Sequence, residues 1–128
     1  MSMRATSGIS KAAKTTAAIA TQFLIATVGA DDDTFSAASA STDPLIGVFQ
    51  TTTANAGDHA EVMVTGISNV VLGGTVTRGD YISSDANANG VTAAPAAGVN
   101  ADVLGIALES GVAGDIIAVR IAPGRIQG

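Results

Sequence analysis

The stretch DPLIGVFQTTTANAGDHAEVMVTG, residues 43–66, carries the signals that decide the fold. It begins with a short apolar run around Gly47, and after Ala-Gly-Asp at 56–58 it continues with apolar residues at every second position. Alternation with a period of two is typical of a β-strand that buries one face. The Gly-Asp pair predicts a turn, because glycine tolerates a positive φ and Asp accepts hydrogen bonds from nearby backbone N–H groups. The stretch therefore predicts one β unit.

A second stretch, DVLGIALESGVAGDIIAVRIAPG at residues 102–124, follows the same pattern. Its apolar run surrounds Gly105, Ala-Gly-Asp recurs at 113–115, and alternating apolar positions follow. The first stretch closes on Gly66 and the second on Gly124. We interpret the two as a degenerate internal repeat of one β unit, too short and too few in copies for a solenoid.

The sequence around these two stretches also favours strands. Short β-branched runs between them are separated by Gly-Gly, Gly-Asp and Asn-Ala-Asn-Gly, which are turn signals. Residues 18–28, AIATQFLIATV, predict another strand with Phe23 and Ile25 on one face. Residues 1–17 have no sustained periodicity. We therefore expect a mainly β fold, a small barrel-like, β-clip or sandwich domain over residues 18–128, preceded by an extended arm over residues 1–17.

Three Gly-Asp pairs precede strand-like runs and are the predicted structural turns: Gly57-Asp58, Gly79-Asp80 and Gly114-Asp115. The second pair belongs to Arg78-Gly79-Asp80, the tripeptide that cell-adhesion receptors recognise. The other two pairs carry Ala where that motif needs Arg, so the feature common to all three is the turn. We interpret the tripeptide as structural.

Composition limits the possible partners. The chain has 128 residues, a formal charge of −5 and a sequence pI near 4.4. This balance argues against nucleic-acid binding, which depends on neutralising phosphates. Much of the apolar content is alanine and only 3% of residues are aromatic, so the core buries little area per residue and contacts with partner chains would help stability. The first 18 residues nevertheless carry Arg4, Lys11 and Lys14 and no acidic residue.

Few residues are suited to chemistry. DANANG at 85–90 matches the opening of a calcium loop, but the twelfth position is Ala96 instead of a bidentate Glu, and an Asn-Gly hairpin turn explains the motif as well. Consecutive carboxylates at 31–33 alternate in direction if the chain is extended. His59 is the only histidine and cysteine is absent, which argues against a zinc site or a Cys-His pair. We expect neither catalysis nor a bound cofactor or metal.

The first 30 residues also allow a targeting interpretation. A basic start, an apolar stretch and small residues at its end are typical of a secretory signal. Thr15, Thr16 and Gln22 interrupt the apolar stretch, which weighs against this interpretation. No apolar run reaches the about 18 residues that a membrane span requires.

The order and spacing of several motifs resemble the capsid cement proteins, or head decoration proteins, of tailed bacteriophages. The pieces are DPLIGVF (43–49), AGDHAEVMVTGI (56–67), GGTVTRGDYISSDANANG (73–90), AAPAAG (93–98) and VLGIALESGVAGDIIAVRIAPG (103–124). The resemblance implies a β-rich domain, a homo-oligomer that is often a trimer, and the major capsid protein as partner on the outer surface of the virion. The longer basic N-terminal stretch departs from the family, and Arg4, Lys11 and Lys14 are our candidate contacts to an acidic shell.

A different class is a tail-fibre or other surface module that binds carbohydrate or a receptor. Carbohydrate sites usually present exposed aromatic platforms, and this chain has only three Phe and one Tyr. A surface cluster that includes Tyr81 would favour this alternative.

Overall fold

The computed structural model describes residues 7–128, and within them it contains nine β-strands and no α-helix. The expected mainly β, barrel-like fold class is confirmed. The strands are β1 (Ser7–Thr15), β2 (Ile25–Val28), β3 (Thr34–Ala37), β4 (Leu45–Phe49), β5 (His59–Val71), β6 (Tyr81–Ser84), β7 (Gly90–Thr92), β8 (Asn100–Ala107) and β9 (Ile116–Gln127).

The first five strands close into a barrel. β1 pairs with β3 in parallel, and β3–β2, β2–β4, β4–β5 and β5–β1 are all antiparallel, so the ring returns to its first strand. Closure removes most sheet edges, and inward-facing side chains alternate with outward-facing ones along each strand. The buried residues inside this barrel are Ala13, Ile19, Ala26, Phe35, Phe49, Ala60 and Val62.

The N-terminal segment differs from the expected arm. Residues 7–15 form β1, which pairs with β5 from Ser7 opposite Ile67 to Lys14 opposite His59. Ala13 and Thr15 are buried while residues 8–12, among them Ile9, are exposed, so apolar and polar residues do not alternate along most of β1 and the sequence shows little periodicity. The expected domain boundary after residue 17 would therefore place β1 outside the barrel, although β1 is one of its five strands. Arg4 lies outside the described residues.

The remaining strands repeat the arrangement of the first five. The C-terminal half of β5 pairs with β9, and β9–β8, β8–β6 and β6–β7 are antiparallel. Just beyond β5, Leu72 forms a parallel bridge with Gly90 at the start of β7, which closes a second ring. β5 is thus the last strand of the first barrel and the first strand of the second.

The register of the two barrels is the same. Val48 opposite Met63 and Phe49 opposite Val62 in the first barrel correspond to Ile106 opposite Arg120 and Ala107 opposite Val119 in the second. The irregular parts match too, since Thr15 N–H donates to Asp58 O at 2.9 Å and Leu72 N–H donates to Asp115 O at 2.8 Å. The predicted pseudo-repeat of 43–66 and 102–124 is therefore the second half of a longer unit that occurs twice in the chain.

The two cores contain different residues at equivalent positions. Phe35 and Phe49 of the first barrel correspond to Gly90 and Ala107 of the second, which are both buried. Smaller residues of the first core are replaced by larger ones: Ala13 by Val70, Ala26 by Ile82 and Ala60 by Ile117. Cores tolerate such simultaneous exchange when the total volume is kept. The exchange also hides the repeat from comparison of the two halves of the sequence.

Two predicted local structures differ from the observed ones. The strand expected over 18–28 begins only at Ile25, because Phe23 has a φ of 66° and interrupts it. The Asn-Gly turn expected at 89–90 is a longer loop, in which Ala88 takes the positive φ of 62°. Gly90 itself belongs to β7, and an added Cβ there would lie 3.0 Å from Val70 Cγ1 and 3.1 Å from Ile82 Cγ2.

The glycine in each apolar run has a packing role. A Cβ added at Gly47 would overlap the carbonyl oxygen of Met63, and one added at Gly105 would overlap the carbonyl oxygen of Arg120. Met63 and Arg120 are equivalent positions on the neighbouring strands β5 and β9. Each unit therefore needs glycine at this place, because backbone approaches backbone too closely for any side chain.

We expect Gly47→Ala and Gly105→Ala each to lower the free energy of unfolding by about 1–3 kcal/mol, as overpacking does in other cores. Urea unfolding measures the change. Gly74→Ala is the matched control, because its Cβ would find its nearest neighbour, Val91 Cγ1, at 3.7 Å. An equal loss in the control variant would contradict this explanation.

Candidate functional site

The three Gly-Asp pairs form three turns of one geometry. Gly57, Gly79 and Gly114 have φ values of 86°, 95° and 90°, as the third position of a type II turn requires. In each turn the Asp carboxylate accepts a hydrogen bond from the backbone N–H of the residue three positions earlier, at 2.9–3.0 Å: Asn55 to Asp58, Thr77 to Asp80 and Val112 to Asp115.

The adhesion-like tripeptide is held by its own barrel. The Asp80 carboxylate also accepts a 2.9 Å hydrogen bond from the Thr92 hydroxyl, and the Arg78 N–H donates to Ser110 Oγ at 2.9 Å. A receptor would need this carboxylate, yet it is half-buried and already bonded within the turn. The geometry gives the tripeptide a structural role.

We expect Gly79→Ala to lower the free energy of unfolding by about 1–2 kcal/mol, which is the cost of a left-handed conformation for a residue with a Cβ. An added Cβ would meet nothing within 4 Å, so the cost is purely conformational. Arg78→Ala should change stability by less than about 0.5 kcal/mol. Thermal unfolding of both variants tests this, and a larger loss for Arg78→Ala would show that its side chain matters to the turn.

The calcium-like loop uses its carboxylate internally. Asp85 Oδ1 accepts hydrogen bonds from the N–H groups of Asn87 at 2.8 Å and Asn89 at 3.0 Å. The loop closes through Asp85 N–H to Asn89 O at 3.0 Å. Such Asx-type bonds are an ordinary way to hold a tight loop. Within residues 7–128, no three His, Asp or Glu side chains come together in a group suited to a metal ion.

The charged residues of the first barrel lie on its surface. Lys11 Nζ pairs with Asp33 Oδ1 at 2.9 Å, and Asp31 and Asp32 are exposed in the same loop. Lys14 is exposed and lies opposite the exposed His59 in the β1–β5 ladder. Of the three candidate shell contacts, Lys14 is an exposed cation and Lys11 forms an ion pair with Asp33. Arg4 is outside the described residues.

One carboxylate is buried and has a specific partner. Asp102 on β8 has a side chain only 8% exposed, and its Oδ1 accepts a 2.7 Å hydrogen bond from Nε of Arg125 on β9. This hydrogen bond, and then the charge of Asp102, raise the pKa of Arg125. The pair borders a cleft of about 190 Å³ that is also lined by Thr42 and Asn100. Ligand pockets are typically larger, about 300–1,000 Å³, so we assign the pair a structural role.

Arg125→Gln should lower the urea midpoint, because it leaves the Asp102 carboxylate buried without a cation. The second substitution Asp102→Asn in the same chain should recover part of the loss. Equal stability of the wild type and Arg125→Gln would show that water replaces the guanidinium at no cost.

The outer faces of the two barrels differ sharply in exposure. In the second barrel, neighbouring strands bring Ile67, Arg120, Ile106 and Tyr81 into one cross-strand row. Tyr81 is 50% exposed, Arg120 is exposed and the two isoleucines are half-buried. In the equivalent row of the first barrel, Met63, Val48 and Ile25 are 6%, 0% and 0% exposed, and only the fourth member, Ser10, is exposed. We name the row of Ile67, Arg120, Ile106 and Tyr81 the open face.

Sequence reasoning missed the open face as a surface. Tyr81 and Ile25 occupy equivalent positions, but the predicted repeat began only at residue 43 and did not reach β2. A repeat extended to the whole chain would align the two positions and show that one of them carries an amphipathic side chain.

The described residues include no helix that could cross a membrane. No family model and no curated protein matches the chain. Among solved structures, the N base of the head fiber gp8.5 in bacteriophage phi29 matches with a TM-score of 0.63 and 19% sequence identity, covering 89% of this chain and 93% of that one. The likeness is one of fold.

Proposed function

We propose that this chain is a structural protein of a tailed-phage head that binds the outer surface of the shell and stabilises it as a cement or decoration protein. The observation that carries the proposal is the likeness to the base of a phage head fiber, which spans nearly the whole of both chains. The motif order that resembles the cement family supports the same class.

The surface of the barrels suits a packing role. The carboxylates of the adhesion-like and calcium-like motifs, Asp80 and Asp85, accept hydrogen bonds from backbone N–H groups of their own loops. Two clefts beside β8 are small, about 190 and 280 Å³, and the larger of these two is lined mainly by Ser, Ala and Thr. A protein that binds only the assembled lattice shifts the equilibrium away from disassembly by mass action.

The partners in this proposal are the major capsid protein and other copies of the chain, with a trimer as the expected oligomer. The basic N-terminal residues Arg4, Lys11 and Lys14 are candidate contacts to acidic shell surface. Lys11 is already paired with Asp33, so Arg4 and Lys14 are the better probes. The cation side chains act through charge, and we expect shell binding to weaken as salt is raised.

The carbohydrate-binding alternative gains little from the structure. Phe35 and Phe49 are buried at 7% and 0% exposure, and Phe23 is partly buried against the core. Tyr81 is thus the one strongly exposed aromatic side chain among the described residues, whereas an aromatic platform needs more than one.

Co-sedimentation with undecorated heads of its own phage tests the proposal. We expect saturable binding of the full-length protein, and no binding would overturn the proposed function. Removing residues 1–17 is a poor test of the N-terminal cations because it deletes β1. Single substitutions Arg4→Glu and Lys14→Glu are better, and each should weaken binding by about two- to fivefold if it loses a surface ion pair.

Arg78→Glu is the control for the change in charge, since Arg78 is an exposed cation in a turn between Val76 and β6. Equal weakening by Arg78→Glu would show that total charge matters and that the N-terminal cations make no specific contact. Unchanged binding of both N-terminal variants would place the shell contact elsewhere on the barrels.

A further inference from the structure

The C-terminal half of β9 extends beyond its pairing with β5. β5 pairs with β9 only up to Ile121, whereas β8 continues to pair with β9 as far as Gln127. Among the described residues, 122–127 therefore have a partner strand on one side only. All six of these residues are exposed except Ile126, which is half-buried. This part of β9 is an open strand edge at the surface of the second barrel.

The backbone groups of Arg125 and Gln127 point to the open side of the strand. Opposed residues of an antiparallel pair alternate between a bonded and a non-bonded arrangement. The N–H and C=O of Gly128 bond to the chain just before β8, at 2.9 and 2.8 Å. Asp102, opposite Arg125, turns its N–H away from β9 and donates it to Ser41 O at 2.8 Å. Both observations place the N–H and C=O of Arg125 and Gln127 on the outer side of β9, where the described residues supply no backbone partner.

Little protects this edge from pairing with another strand. Natural proteins usually protect an open edge with a free charge, a proline or a bulge. Residues 124–128, which we name the β9 edge, contain no proline, because Pro123 stands just before them. Positions 124–127 pair with β8 in an unbroken register, without a bulge. The one charged side chain, Arg125, is paired with Asp102 at 2.7 Å.

We propose that two copies of this chain pair antiparallel through their β9 edges, with Arg125 of one copy opposite Gln127 of the partner subunit. Each of the two Arg125–Gln127 pairs then exchanges both N–H···O bonds, as bonded pairs of an antiparallel ladder do. The strands β8 and β9 of both copies form one continuous sheet across the contact. Addition of a strand to an open sheet edge is a common mode of protein recognition.

The side chains are compatible with this register. Ile126 lies on the two-fold axis opposite its own copy, so each half-buried isoleucine covers the other. Its neighbours on the same face of the strand are Gly124 and Gly128, which have no side chain to obstruct this packing. Arg125 faces a neutral glutamine, whereas a register with Arg125 opposite its own copy would bring like charges together. Pro123, which has no N–H, lies outside the paired residues.

The contact uses the same surface on both copies and is therefore isologous, so it closes after two chains. The trimer expected from the resemblance to cement proteins would need a different surface, and the mass in solution distinguishes the two. Dimerisation requires no phage head, so it is tested separately from the proposed function.

Sedimentation equilibrium of the purified full-length chain is the first test. We expect the mass of two chains, with dissociation on dilution. Gln127→Pro removes an N–H that only the partner subunit uses, and because the symmetric contact loses this hydrogen bond twice, the dissociation constant should rise about tenfold or more. Gln127→Ala is the matched control, because it also removes the 3.3 Å bond from Gln127 Nε2 to Gly98 O but keeps the N–H.

Equal dissociation constants of Gln127→Pro and Gln127→Ala would overturn the proposal. A wild-type trimer would overturn it too, and so would a wild-type monomer, which would leave the β9 edge to a strand of another protein. Circular dichroism of each variant shows whether it is folded.

Cysteine cross-linking tests the register. The chain has no native cysteine, so Ile126→Cys should form a disulfide-linked dimer under mild oxidation. The Cα atoms of directly opposed non-bonded residues lie about 4.5 Å apart, which a disulfide can span. Val28→Cys is the control, because Val28 on β2 is 54% exposed and random collisions would link it at least as readily as the half-buried Ile126. No cross-linking of Ile126→Cys, or equally fast cross-linking of Val28→Cys, would contradict the contact.

Discussion

The structure depends on one continuous strand. β5 closes the first barrel through its pairing with β1 and β4. Its C-terminal half pairs with β9 and is the first strand of the second barrel. Ser68, Asn69 and Val70 are 0%, 3% and 0% exposed. Successive side chains of a strand point to opposite faces, so burial of three in a row means that both faces of β5 are covered at this place. The backbone of one strand therefore fixes the position of one barrel relative to the other.

This shared strand explains why the two units can differ in composition. The first barrel contains a core with Phe and several small residues, and the second contains mainly branched aliphatic residues. Both cores fill the same arrangement of five strands. Neither unit can replace its glycine at Gly47 or Gly105, because a carbonyl oxygen of the neighbouring strand leaves no room for a Cβ. Positions with a positive φ are less restricted, since Phe23 and Gly79 are equivalent and both adopt it.

The sequence alone predicts the parts of this fold that depend on local chemistry. The mainly β class follows from short apolar alternation, and the two repeated β units over 43–66 and 102–124 follow from the repeated glycines and Asp residues. The extent of the repeat was not predicted, because Phe23 stands where the second unit has glycine and because the core residues exchange size. The sequence predicts an arm in place of β1 because apolar and polar residues do not alternate along it and because its partner in the ladder is distant in sequence, so only tertiary pairing reveals it. The open face depends on the same missing alignment.

A protein built from two such units presents one covered and one open copy of the same face, which suits a role in assembly.

Because β5 belongs to both barrels, we expect them to unfold as one cooperative unit, and native-state hydrogen exchange along β5 in low denaturant tests this most directly. We predict that the amides of 60–63, in the first barrel, and of 68–71, in the second, exchange with one common free energy equal to that of global unfolding. Exchange of 68–71 at a distinctly lower free energy than 60–63 would contradict the account, because it would show that the second barrel opens while the first stays closed.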